Sequence, residues 1–107
     1  MSASPIDETR AGAAQMASGM ARRVVTICNQ RGLHARAAAR FVKTAGQFDA
    51  EVTVRKNGTE VSGRSIMGLM MLAAAPGTVI ELVGTGRQAE AAVTALAELI
   101  ECKFDEE

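Results

Sequence analysis

The stretch "NQRGLHARAAARF", residues 29–41, holds the only histidine of the chain, His34, between a glycine turn and an alanine-rich segment. Free imidazole titrates at about pH 6.5, so one ring nitrogen can act as a nucleophile at neutral pH. From Ala35 onward the residues favour helix, which puts His34 at a helix start. The first N–H groups of a helix have no internal partner and point outward at the positive end of its dipole, a ready site for an anion. Cations in a first turn are unfavourable by roughly 0.3–1 kcal/mol each. Yet Arg31 precedes His34, Arg36 lies in the first turn and Arg40 follows one turn on. Guanidinium grips phosphate oxygens in a bidentate fork, and Arg36 is the best placed to do so. The spacing therefore suits a histidine that accepts a phosphoryl group and a helix tip that holds it. It is also compatible with an incidental or capping histidine and solvated arginines, and spacing alone does not establish the anion site.

Competing chemistry is scarce. There is no second histidine, no Walker lysine and no arguable Ser-His-Asp set. "GTGR" at 84–87 reads as a strand-to-helix turn in preference to a phosphate loop. Ser65, before the apolar "IMGLMML", suits a helix N-cap, with or without a regulatory phosphate. A phosphate there would add about −1.5 to −2 charges beside any neighbouring docking surface. In that short helix Ile66, Leu69 and Leu72 can face inward while Met67 and Met70 face out. Flexible thioethers suit a surface that grips several partners in turn. Gly68 either admits a partner or serves packing.

Around these residues the punctuation is regular. "RRVVTIC" from Arg22 reads as a strand ending at the Asn29–Gly32 turn. Ala38, Phe41, Val42 and Ala45 form one face of a helix that Gly46 can end. "AEVTVR" alternates as a half-buried strand, and Asn57-Gly58 turns it back into "TEVSG". After the short helix comes Pro76-Gly77, then the strand "TVIELV". A final helix from about Arg87 to Cys102 carries Ala89, Ala92, Val93, Leu96 and Ile100 at helical period. Strands with one wet face put the helices on the other. The expected fold is α+β, an open-faced β-sandwich of order β-α-β-β-α-β-α. Its four-stranded antiparallel sheet is covered on one face by three helices.

With 107 residues the chain suits one domain, here 22–107, preceded by an aperiodic Ala/Ser/Gly/Met-rich extension, 1–21, expected to be flexible. Met16 and Met20 could each serve as a translation start. A formal charge of +0 and only three aromatics, Phe41, Phe48 and Phe104, argue against nucleic-acid binding. No apolar run approaches a membrane span and no signal peptide is evident, so a cytoplasmic location is the default. Cys28 and Cys102 have neither metal nor CxxC spacing. They read as reduced small hydrophobes, with a mutual disulfide as the alternative. No metal or cofactor is expected.

"GLHARAAARFVKTA" followed by "SGRSIMGLMMLAAAPGTVIEL" resembles the HPr phosphocarrier proteins of the bacterial phosphoenolpyruvate-dependent phosphotransferase system, from about Arg22 onward. The resemblance implies the same element order and a covalent relay, not an enzyme. On that likeness enzyme I would phosphorylate His34 on Nδ1, and the group would pass to a histidine of a IIA-type protein. Arg36 would steady the phosphoryl group, HPr kinase/phosphorylase would act on Ser65, and Ala39, Ile66, Met67 and Met70 would line the docking patch. A monomer is expected. Ala37 stands where the family usually has proline. "QFDAEVTVR" and "KFDEE" look like the nitrogen-related (NPr) branch, whereas "SIMGLMML" looks like carriers under serine-kinase control. Two other readings stay open: a regulatory adaptor acting through phospho-Ser65, and a small-ligand sensor of similar architecture.

Overall fold

The computed structural model describes residues 19–106. In chain order the elements are β1 (Met20–Thr26), α1 (Ala35–Ala45), β2 (Glu51–Lys56), β3 (Thr59–Ser62), α2 (Ile66–Met71), β4 (Val79–Thr85) and α3 (Ala89–Glu101). A short left-handed turn, Lys103–Asp105, follows α3. The sheet order is β1-β4-β2-β3 and every neighbouring pair is antiparallel. Among the described residues no helix is long and apolar enough to cross a membrane.

Alternation decides which face is covered. Val25, Val52, Val54, Ile80 and Leu82 point inward and meet Phe41 of α1, Leu69 of α2 and Leu96 and Ile100 of α3 in one core. The opposite face carries Arg22, Arg55 and Glu81, with Arg22 paired to Glu81 at 3.0 Å. Asn57 and Gly58 turn the β2–β3 hairpin with φ of 49° and 82°, as the dipeptide predicts. Gly84 lets α3 lie close on β4, since a side chain there would meet Val93 Cγ2 at 2.8 Å. The "GTGR" segment is indeed the turn from β4 into α3.

Three expectations are corrected. β1 starts at Met20, so Met20 and Ala21 belong to the sheet, opposite Thr85 and Gly84, and not to an extension. Neither is β-branched, so propensity understates a strand that its partner imposes. Residues 1–18 of the expected extension lie outside the described residues. Ile66 is 39% exposed and does not join Leu69 and Leu72 in the core. Positions three apart on a helix drift by about 60° per step, so the two ends of that row cannot face the same way. Cys28 and Cys102 are both exposed and both free, so neither serves as a buried hydrophobe and no bond joins them. The turn after α3, which no apolar period marks, reaches the histidine.

Candidate functional site

Gly32 makes the approach to α1 possible. Its φ is +64°, and any side chain there would run into the Ala74 carbonyl oxygen. The loop is pinned on both sides, by Ile27 N–H on Thr78 O at 2.9 Å and Leu33 N–H on Ala74 O at 3.0 Å. His34 follows as the N-cap of α1, in extended backbone (φ −79°, ψ 179°), and its carbonyl accepts the first helical bond from Ala38 N–H at 2.8 Å. The imidazole turns back over the helix start, where Nδ1 accepts the N–H of Arg36 at 3.3 Å. Ala37, fully buried, occupies a first-turn position whose N–H needs no intrahelical partner. Proline or alanine therefore fits it without loss of a helical bond.

The ring does not stand free in solvent. Its side chain is 18% exposed, and its other nitrogen, Nε2, faces the Glu106 carboxylate. Glu106 is brought there by the turn after α3. Lys103, Phe104 and Asp105 all adopt left-handed backbone, with φ of 57°, 55° and 60°. Such a conformation costs roughly 1–2 kcal/mol for each non-glycine residue and persists only where the surroundings over-determine it. Two anchors do so here. Phe104 is buried completely among core side chains. Buried Asn29 donates through Nδ2 to Gly32 O at 2.9 Å and to Glu106 Oε1 at 3.1 Å. Both partners are acceptors, which fixes the orientation of the amide. Its Oδ1 is buried with no partner among the described residues. The Glu106 carboxyl is held below its ordinary 4.5, chiefly by the bond to His34, with Asn29 adding to the effect against partial burial.

Arg36 is exposed and lines the same polar cavity of about 220 Å³ as His34, together with Arg31, Arg40, Asp105 and Glu106. Arg40 is partly occupied by Asp105 at 3.6 Å. The structure thus brings His34, Arg36 and the flanking arginines around one anion-sized space at a helix tip. Ser65 lies apart from that space. It caps α2, its Oγ accepting Gly68 N–H at 2.9 Å. Gly68 has a packing reason, because a Cβ there would meet Ser65 Oγ at 3.0 Å and Val61 Cβ at 3.2 Å. Ala39 is exposed on α1, which packs against α2. Ile66, Met67 and Met70 are exposed as well, and Met71, at 78%, extends the apolar surface beyond the expected patch.

Asn29, Phe104 and Glu106 were not singled out from sequence. One signal was available: an isolated aromatic in the acidic run "KFDEE" of an aromatic-poor chain is a natural anchor.

The family model for the phosphorylation site of the HPr component of the phosphotransferase system (PTS) matches residues 21–102. The chain is 53% identical over 87 residues to the phosphocarrier protein HPr of Neisseria meningitidis, covering 81% of this chain and 98% of that protein. It is 46% identical over 84 residues to the phosphocarrier protein NPr of Shewanella violacea, covering 78% and 92%. Among solved structures, HPr of Thermoanaerobacter tengcongensis superposes with a TM-score of 0.78 at 44% identity, over 81% of this chain and 98% of that one. With the histidine at the helix tip, the open-faced sheet and these likenesses, the chain belongs to the HPr phosphocarrier family of the phosphotransferase system.

Proposed function

We propose that the protein accepts a phosphoryl group on His34 Nδ1 from enzyme I and passes it to a histidine of a IIA-type protein, working as a monomer in the cytoplasm. The observation that carries this reading is the placement of Nδ1 at the first turn of α1, whose N–H groups have no intrahelical partner, with Nδ1 itself accepting that of Arg36. A phosphoryl group formed on Nδ1 emerges where those N–H groups and the helix dipole favour an anion. Arg36, from the edge of the cavity, clamps its oxygens. The exposed Ala39, Ile66, Met67 and Met70 form the surface that meets donor and acceptor in turn. Ser65, half-buried and spent on capping α2, serves as a regulatory phosphosite for HPr kinase/phosphorylase: a dianion beside the methionines alters docking without touching His34. The same cavity argues against the sensor reading. It is polar, small and built around a nucleophile, not around an apolar ligand.

The test uses labelled phosphoenolpyruvate and enzyme I. Acid-labile label that disappears in His34→Ala and persists in Ser65→Ala supports the relay. Absence of label on His34 in the wild-type chain contradicts it.

A further inference from the structure

We infer that Glu106 is a positioning residue for the transfer: its carboxylate keeps the proton on Nε2 of His34, so that Nδ1 is presented unprotonated and, once loaded, leaves as part of a protonated ring. This deepens the proposed function and rests on it.

The geometry carries the inference. A carboxylate only accepts hydrogen bonds, so the contact between Glu106 and Nε2 requires the hydrogen on Nε2. Nδ1 then holds the lone pair, consistent with its acceptance of Arg36 N–H. The carboxylate is not a passing surface group. Its second oxygen is tied to buried Asn29, and its segment is nailed down by Phe104 through three left-handed residues. A backbone outlier of this kind beside a reactive ring points to positioning. Carboxylates that orient a histidine through its far nitrogen play this part in hydrolase triads and at metal sites.

The step balances without a free proton. As the Nδ1 lone pair bonds to phosphorus, the bond from phosphorus to the donor breaks and its electron pair leaves with the donor. The ring becomes a cation that retains Nε2–H, and the Glu106 charge offsets it. On discharge the acceptor's lone pair bonds to phosphorus, and the electrons of the N–P bond return to Nδ1. The ring is again neutral with Nε2–H in place. Were that proton lost to water between the two steps, the loaded nitrogen would be a poorer leaving group. The charged groups facing the pair are Arg31, Arg36, Arg40 and Asp105 around the cavity, with Lys103 on the neighbouring side.

The experiment loads the full chain with phosphoramidate, a small phosphoryl donor, so that enzyme I is not needed for loading. Loss of the phosphohistidine signal is then followed by ³¹P NMR, both in buffer and with a IIA-type acceptor. Glu106→Gln keeps the size and an accepting oxygen but removes the charge. Its loaded form should survive about 10–100-fold longer and discharge correspondingly more slowly, with the deficit growing as pH rises and Glu106→Asp restoring part of it. Equal lifetimes and equal transfer in wild type and Glu106→Gln would overturn the inference while leaving His34 as carrier. Failure of His34 to take label in either protein would remove the carrier reading and the inference together.

Discussion

Asn29 Nδ2 donates to Glu106 Oε1 at 3.1 Å across 77 positions of sequence, joining the loop that precedes α1 to the turn that follows α3. The same amide holds Gly32 O, so one buried side chain sets both the loop that delivers His34 and the carboxylate that meets it. Asn29→Asp tests this relationship with almost no change of size. It replaces a donor by a second anion facing two acceptors, and like charges held this closely repel. Glu106 should swing away and the protein should lose about 2–3 kcal/mol by urea titration. A stability equal to wild type would show that the amide bears no such load.

Phe104 carries the turn. Truncation to alanine leaves a cavity and removes the burial that offsets three left-handed residues. Phe104→Ala should therefore cost about 3–5 kcal/mol in chemical denaturation. In the folded fraction the His34 ring should become more exposed, visible as loss of the cross-relaxation between its ring protons and the Glu106 side chain.

Acid should release the turn before it unfolds the sheet. The folded Glu106 carboxyl ionises below its ordinary 4.5, chiefly because His34 bonds to it. Its contribution to stability is thus fully present above pH 4.5 and is lost as pH falls through the folded value. A ¹³C titration of the Glu106 carboxyl should give a midpoint below 4.5, and Glu106→Gln should flatten the acid limb of the stability curve. A midpoint at or above that value would contradict the bonded arrangement.

Ser65→Ala removes the acceptor for Gly68 N–H and should destabilise α2 by about 1 kcal/mol. Acceptance of a phosphoryl group by His34 should be unchanged, because Ser65 does not line the histidine's cavity. Thermal melts and the labelling assay read the two effects separately.

The elements and the histidine's station were legible because both are local. Period-two and period-3.6 apolar patterns mark the strands and helices, and "GLHAR" marks a turn followed by a helix start. What stayed hidden is non-local or against propensity. Glu106 meets His34 across 72 positions, through a turn that asks lysine, phenylalanine and aspartate for a conformation they rarely adopt. No pattern rule anticipates that, since the reason lies in the pocket that buries Phe104. The exposure of Ile66 has a smaller cause: apolar positions three apart turn by about 60° per step, so Ile66 points well away from Leu72, the residue that caps the helix.

The central claim is that Nδ1 of His34 carries the phosphoryl group at the tip of α1. Its most direct test is ³¹P–¹⁵N correlation on the chain labelled with ¹⁵N-histidine after exposure to phosphoenolpyruvate and enzyme I. A single phosphorus resonance coupled to Nδ1, with Nε2 still bearing its hydrogen toward Glu106, is the predicted result. Phosphorus coupled to Nε2, or bonded to any residue other than His34, would contradict it.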